Sequence, residues 1–91
     1  MLTSTLTEQD IAAALRDVVL NVLQLDLPKD AITLETNLHE LGLESMNVVE
    51  LLADIEARFD ITIDVEDLSA ALFSRFGNLV EFVQRKSDEA R

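Results

Sequence analysis

The spacing of apolar residues along the chain predicts helices rather than strands. In the first third, apolar side chains recur at intervals of three and four and fall on one side of a helical wheel: Ile11, Leu15, Val18, Val19 and Val22. The residues from Thr7 resemble a capping box, which predicts that the first helix begins after Thr7. Pro28 predicts that this helix ends near Leu25. The polar residues of the same stretch fall on the opposite side and are predicted to face solvent: Arg16, Asp17 and Asn21.

Between Pro28 and Glu44 the apolar residues are spaced too unevenly for one helix. This segment is predicted to be a long loop whose aliphatic side chains anchor it over the core: Ile32, Leu34, Leu38, Leu41 and Leu43. Loops of this length in small domains are commonly functional. His39, the single histidine, has no cysteine or second histidine with which to share a metal ion, so we interpret it as a surface residue.

From Ser45 to Phe59 a second helical pattern carries two apolar stripes. The main stripe is predicted to face the core: Val48, Leu51, Leu52, Ile55 and Phe59. A smaller stripe lies about opposite and starts beside Ser45: Met46, Val49 and Ala53. Glu50 and Glu56 border it. Scattered exposed apolar residues are normal, but clustering next to Ser45 favours a docking surface.

The last third predicts a connector and two further helices. Residues 60–64 are predicted to be loop, because no second strand is available for pairing. A short helix is predicted over 65–71 with Asp64 as its cap, followed by a break at 77–78 and a last helix over 79–86. The predicted fold is therefore all-α: a four-helix bundle with three longer helices and one short helix.

The 91 residues predict one domain, bounded at 7–87, with a flexible N-terminal tail, 1–6, and a frayed C-terminal tail, 88–91. With four Phe and no Trp or Tyr, the core is expected to be aliphatic. The chain shows neither a signal-peptide pattern nor an apolar run of about 20 residues. We therefore expect a soluble, cytoplasmic protein, and we also expect it to be a monomer.

The formal net charge of −11 is concentrated in the middle of the chain. Between Asp30 and Asp67 eleven acidic residues face one base, Arg58. The chain lacks the basic stripe that phosphate backbones require, so nucleic acid is not an expected partner. An acidic surface can serve solubility alone, but this concentration favours partners with basic surfaces, drawn in by electrostatic steering.

Ser45 lies where the long loop passes into the second helix. A serine at this point is commonly an N-cap, whose side chain accepts a hydrogen bond from a free amide of the first turn. The same free amides and the positive end of the helix dipole also suit a phosphate group. The residues alone leave both interpretations open.

The segment Gly42-Leu43-Glu44-Ser45-Met46 resembles the attachment motif of the acyl carrier protein family, whose usual form is Gly-x-Asp-Ser-Leu. Glu44 replaces the aspartate and keeps its charge, and Met46 replaces the leucine and keeps its apolarity. The similarity in length, helix order and acidity extends from about Thr7 to Lys86. It implies an acyl-carrier-like bundle with a long loop between its first and second helices.

The resemblance also implies a function. Ser45 would carry a 4′-phosphopantetheine arm, transferred from coenzyme A by a phosphopantetheinyl transferase, and the arm would hold acyl groups as thioesters. The protein would be a free-standing carrier and not an enzyme, serving acyl-transferring and chain-elongating or modifying enzymes with basic docking surfaces. The family's partner-recognition helix corresponds to 45–59, with contact positions at Glu44, Met46, Val49, Glu50 and Glu56. Ala53 joins them as a member of the smaller stripe.

The pathway stays open between fatty-acid synthesis and specialised lipid or polyketide synthesis. Asn47 and Ala57 stand where fatty-acid-synthesis members usually carry acids, and 72–76 also differs from theirs. A specialised carrier is therefore an alternative: it would serve a polyketide or unusual lipid pathway or, as an aminoacyl or peptidyl carrier, a peptide pathway. An acidic calcium-binding protein fits poorly, because 60–67 has Thr62 in place of a ligand and no central glycine. With no Cys, one His and no glycine-rich phosphate loop, an enzyme site cannot be assembled.

Overall fold

The computed structural model of the protein describes residues 8–89. It contains four α-helices: α1 (Glu8–Val22), α2 (Ser45–Phe59), α3 (Ala70–Ser74) and α4 (Phe76–Glu89). Three short 3-10 turns lie in the connections: Lys29–Ala31, Leu38–Leu41 and Val65–Asp67. No strand occurs within this range. The predicted all-α fold, with three longer helices and one short helix, is confirmed.

The core lies where α1 packs against both α2 and α4. All five apolar residues that predicted the inner face of α1 are buried, as predicted. α2 contributes the fully buried Leu51 and Ile55, whereas its other core-stripe members are half-buried against the same cluster. The core is not purely aliphatic as expected, because three phenylalanines are buried in it: Phe73, Phe76 and Phe82.

α1 ends at Val22, slightly before the predicted end near Leu25. The reason is local: Gln24 adopts a left-handed conformation with φ 53°. The Leu25 N–H then bonds to the Leu20 carbonyl at 3.0 Å, and the Gln24 N–H bonds to the Asn21 carbonyl at 3.2 Å. This is a Schellman motif, which closes the helix without any contribution from the later proline.

The prediction that Arg16 faces solvent is wrong. Its Nε donates a hydrogen bond to the Ile32 carbonyl at 2.7 Å, and its guanidinium lies 5.5 Å from the centre of the Phe76 ring. A long apolar stem and a planar cation allow arginine to pack on an aromatic ring while it satisfies a backbone carbonyl. Arg16 therefore joins α1 to the loop and to α4.

The long loop, residues 23–44, is anchored by three of its apolar side chains, which are buried: Ile32, Leu38 and Leu43. Leu41 is half-buried, but Leu34 is exposed, so its predicted role as an anchor is wrong. The Leu34 backbone makes the contact instead. Its carbonyl accepts a hydrogen bond from the Gly77 N–H at 2.8 Å.

The start of α4 is fastened to the long loop. Besides the Leu34–Gly77 bond, the Phe76 N–H donates to the Thr36 carbonyl at 2.7 Å. Arg75 forms a two-pronged ion pair with Glu35, with Nε and Nη2 donating to the two carboxylate oxygens at 3.0 and 2.9 Å. We call these two backbone bonds and this ion pair the loop clasp.

Two predictions for the last third of the chain need correction, and the loop clasp accounts for the second of them. The predicted short helix over 65–71 is instead a 3-10 turn followed by α3 at 70–74. The predicted break at 77–78 falls inside the first turn of α4, and the real break is at Arg75, which is extended with φ −152° and ψ 124°. The loop carbonyls accept hydrogen bonds from the first amides of α4. The helix therefore begins at Phe76, before the apolar pattern that starts at Leu79.

Residues 61–64 form no strand, as predicted. Asp64 is predicted to cap the following helix with its side chain. The observed contact has the opposite direction, because the Asp64 N–H donates to the Asp67 carboxylate at 3.1 Å. α4 continues through Glu89, so the predicted C-terminal tail is helical at 88–89, and 90–91 lie outside the described residues, as do 1–7. None of the described helices is long and apolar enough to cross a bilayer.

Candidate functional site

Ser45 is the first residue of α2, and its side chain is exposed. The N-cap position belongs to Glu44, which is extended with φ −126° and ψ 171° and makes no capping hydrogen bond through its side chain. The Glu44 carbonyl accepts the first helical bond, from the Val48 N–H at 2.9 Å. Helix geometry leaves the amides of Ser45, Met46 and Asn47 without helical acceptors. Ser45 is therefore not the cap of its helix.

The turn before Ser45 changes the direction of the chain sharply and fixes the position of the chain there. The 3-10 turn Leu38–Leu41 ends at Gly42, whose φ of +106° is a left-handed conformation that favours glycine. The next residue, Leu43, is buried, and its N–H bonds to the Leu38 carbonyl at 3.3 Å. Because Leu43 is anchored in the core, the chain leaves it with Glu44 and Ser45 on the surface.

The structure exposes the smaller stripe of α2, which we call the exposed stripe: Met46, Val49 and Ala53. Met46 is 84% and Val49 72% exposed, and Ala53 is also on the surface. On the opposite side Leu51 and Ile55 are 1% and 0% exposed. The two faces of the helix are thus those that the wheel predicts. Ser45 and the exposed stripe form one continuous surface at the start of α2.

The three acids predicted around this surface have different environments. Glu44 and Glu50 are exposed, and neither takes part in an ion pair within residues 8–89. Glu56 is half-buried, and its Oε2 accepts a hydrogen bond from the Ile63 N–H at 2.7 Å. Glu56 therefore holds the connector after α2, a contact that sequence reasoning missed because the partner is a backbone group beyond the helix.

Most of the described basic side chains are committed elsewhere. Lys29 and Arg58 both approach Asp17, at 2.8 and 3.8 Å. Lys86 pairs with Asp67 at 2.9 Å, and Arg75 belongs to the loop clasp. None of these pairs neutralises Glu44 or Glu50. The surface around Ser45 therefore keeps its negative charge, which attracts cationic groups.

Two of these ion pairs lower the pKa of their acidic member. The hydrogen bond from Arg75 lowers the pKa of Glu35 below its ordinary value, and the charge of Arg75 adds to the effect. The hydrogen bond from Lys86 lowers the pKa of Asp67, with a further contribution from the Asp64 N–H. Both acids belong to contacts that hold the fold and not to the surface around Ser45.

The described residues do not group three or more acidic, histidine or cysteine side chains in a way that could hold a metal ion. His39 lies on the surface, and its ring is nearly perpendicular to the Phe73 ring at a centroid distance of 6.2 Å. That contact ties the long loop to α3. The site at the start of α2 thus offers an exposed hydroxyl, free amides, an apolar stripe and uncompensated acids.

Comparison with known proteins assigns the family. A family model described as a phosphopantetheine attachment site matches residues 13–84, which is most of the chain and includes Ser45. The acyl carrier protein of an Exiguobacterium species is 32% identical over 82 residues, covering 89% of this chain and 99% of the relative. That of Lactococcus lactis subsp. cremoris is 30% identical over 69 residues, covering 76% and 86%. That of Streptococcus pyogenes serotype M3 is 33% identical over 64 residues, covering 70% and 81%. The chain therefore belongs to the acyl carrier protein family, whose members are carriers and not catalysts and bear a covalently attached 4′-phosphopantetheine.

Proposed function

We propose that Ser45 is the residue that bears the phosphopantetheine arm. The observation that carries this proposal is the exposed hydroxyl of Ser45 at the first position of α2, directly after an anchored turn. Within residues 8–89 no hydrogen bond engages this hydroxyl, so its oxygen is free to be modified. A serine serving as the cap of its helix would have its oxygen occupied.

The chemistry of the site fits a phosphodiester. The free amides of the first turn of α2 and the positive end of its dipole lie beside the Ser45 oxygen, where a phosphate would be attached. Glu44 is extended, and its side chain does not occupy those amides. When bound, the arm supplies a thiol that holds acyl groups as thioesters, and the domain supplies an address for partner enzymes.

We infer that partners dock on the exposed stripe and the acids around it. The apolar side chains of Met46 and Val49 are too exposed to stabilise the fold, yet they adjoin Ser45. The charges of Glu44 and Glu50 are available to a basic rim on the partner's surface. The connector after α2 occupies part of the Glu56 carboxylate through the Ile63 N–H, so Glu56 can contact a partner only with the remaining part. The charges set the encounter rate, and the apolar contacts set the residence time.

The proposed partners are a phosphopantetheinyl transferase and the acyl-transferring and chain-elongating or modifying enzymes of fatty-acid or specialised lipid or polyketide synthesis. An aminoacyl or peptidyl carrier of a peptide-synthesis pathway is the alternative. Ala57, where fatty-acid-synthesis members usually carry an acid, is exposed, so the surface that partners meet differs from theirs at that point. The cytoplasmic location stays a prediction.

Intact mass measurement tests the attachment site. After incubation with coenzyme A and a phosphopantetheinyl transferase, the wild-type chain is expected to gain about 340 Da, the mass of the added arm. Ser45→Ala is expected to show no gain while its helical circular dichroism is unchanged. Ser69→Ala is the matched control, because Ser69 is also an exposed serine at a helix start, preceding α3.

The control variant is expected to load like the wild type. A mass gain that persists in Ser45→Ala would move the arm to another residue and refute the assignment.

A further inference from the structure

We propose that Met46 is an oxidation site that switches docking at the Ser45 surface. Its side chain is 84% exposed, more than any other large apolar side chain of the described chain. The sequence has no cysteine and two methionines, and the other is Met1. Met46 therefore carries the only sulfur atom within residues 8–89. Exposure governs how readily a thioether reacts, so this sulfur is open to dissolved oxidants.

The position of Met46 gives the modification a consequence. Met46 directly follows Ser45 in α2, and Val49, one turn further, continues the same apolar surface. The proposal rests on the docking role assigned above to this stripe. A leucine, the residue usual at this point of the motif, offers a similar apolar contact but has no atom that an oxidant of this class can modify. Sensitivity to oxidation is therefore specific to the methionine.

The reaction is a two-electron oxidation by a peroxide. The sulfur lone pair of Met46 attacks one peroxide oxygen, an S–O bond forms and the O–O bond breaks. For hydrogen peroxide the departing hydroxide takes up the remaining hydroxyl proton, so the products are the sulfoxide and one water. The sulfur is oxidised and the peroxide is reduced. Methionine sulfoxide reductases reverse the change, one enzyme for each sulfoxide epimer.

The sulfoxide alters the surface without disturbing the fold. Its oxygen is a strong hydrogen-bond acceptor that must lose its water when an apolar pocket covers it. Because Met46 is 84% exposed and is not part of the core cluster, oxidation leaves the bundle intact. We expect the rate of loading by the transferase, measured well below saturation, to fall about tenfold.

The test uses the apo protein, which has no thiol of its own. The full chain is treated with hydrogen peroxide, the peroxide is destroyed with catalase, and coenzyme A and transferase are then added. Peptide mass mapping assigns the added oxygen to Met46 or Met1. Met46→Leu is treated in parallel, and each protein is compared with its own untreated sample, so the starting rates of the two proteins need not agree.

The expected result is one added oxygen on Met46, a slower rate in the treated wild type, a ratio near one in Met46→Leu, and recovery after incubation with both classes of reductase. Circular dichroism and melting temperature stay unchanged. Failure of Met46 to take up oxygen, an unchanged rate after uptake, or an equal slowing of Met46→Leu would each overturn the proposal. Loading of untreated protein at Ser45 is measured separately, so these failures leave the carrier function untouched.

Discussion

Gly77 is in close contact with the long loop. An added Cβ at this position would lie 3.1 Å from the Leu34 carbonyl oxygen and 3.1 Å from Nη1 of Arg75. The Leu34 carbonyl belongs to the loop clasp and cannot retreat without loosening it, whereas Nη1 of Arg75, which donates to Asn78 Oδ1 at 3.2 Å, is the end of a flexible side chain. In a free helix alanine is favoured over glycine by about 1 kcal/mol. The gain in helix propensity and the close contacts of the added Cβ therefore oppose each other.

We expect Gly77→Ala to lower the free energy of unfolding by about 1 kcal/mol, because the displaced carbonyl weakens the Gly77 N–H bond by more than helix propensity returns. Chemical denaturation with helical circular dichroism measures the change. A variant that melts at a higher temperature than the wild type would show that the loop yields at little cost.

Residue positions were predictable where the cause is periodic and local. The wheel of α2 placed Met46 and Val49 on the surface and Leu51 in the core, because helix geometry alone fixes which side chains share a face. The wheel of α1 failed for Arg16, which bonds to a carbonyl 16 residues away. The wheel of α2 gave no sign of the bond between Glu56 and the Ile63 amide. Such contacts depend on how the loops return to the helices.

At the scale of one element, α2 has separate duties on its two faces. Leu51 and Ile55 face the core, and Met46 and Val49 face solvent beside Ser45. Leu52, a core residue by the wheel, is only half-buried, so Leu51 is the sharper probe of the inner face. A charge placed on the inner face should therefore affect mainly stability, and a charge placed on the outer face should affect mainly docking.

Val49→Asp is expected to slow loading by the transferase severalfold while the melting temperature stays near that of the wild type. Leu51→Asp is expected to unfold the domain, because an unpaired carboxylate in the core costs about 3 kcal/mol or more. Loading rate and melting temperature of both variants check this. The prediction fails if Val49→Asp unfolds the protein or if Leu51→Asp leaves its melting temperature unchanged.

The ends of the elements were less predictable than their existence. α1 and α2 carry long apolar periods, which fix the type and place of each helix. The start of α4 depends on carbonyls of Leu34 and Thr36, and the apolar pattern that begins at Leu79 contains no sign of them. In the sequence Gly77 indicates a break, whereas in the structure it marks the close approach of a loop.

At the scale of the whole molecule, two ion pairs tie distant segments to α4 or its start: Glu35–Arg75 and Asp67–Lys86. The partner cation lowers the pKa of each carboxyl below its ordinary value, 4.5 for Glu35 and 3.8 for Asp67. Near these values the folded chain binds fewer protons than the unfolded chain. Their stabilisation is present above the ordinary pKa and is lost as the pH falls through the lowered one.

Glu35→Gln is therefore expected to lower the melting temperature at pH 7, and its difference from the wild type should shrink as acid protonates Glu35 in the wild type. Glu50→Gln is the control, because Glu50 is exposed and has no ion pair in the described structure. Its removal relieves repulsion among the acids and should not lower the melting temperature at pH 7. A Glu35→Gln difference that stays constant from pH 7 into the acid range would contradict this account.

The loop clasp also has a consequence for isotope exchange. Amides in the first turn of a helix ordinarily exchange quickly with heavy water, because they lack helical acceptors. At the start of α4 the Phe76 and Gly77 amides are held by loop carbonyls at 2.7 and 2.8 Å, whereas the Met46 amide at the start of α2 has no such partner among residues 8–89. Deuterium uptake followed by NMR should therefore be slow at the first two and fast at the third, and equal rates would argue against the clasp. Exchange at Phe76 then reports, from another helix, whether the loop that leads to Ser45 is docked.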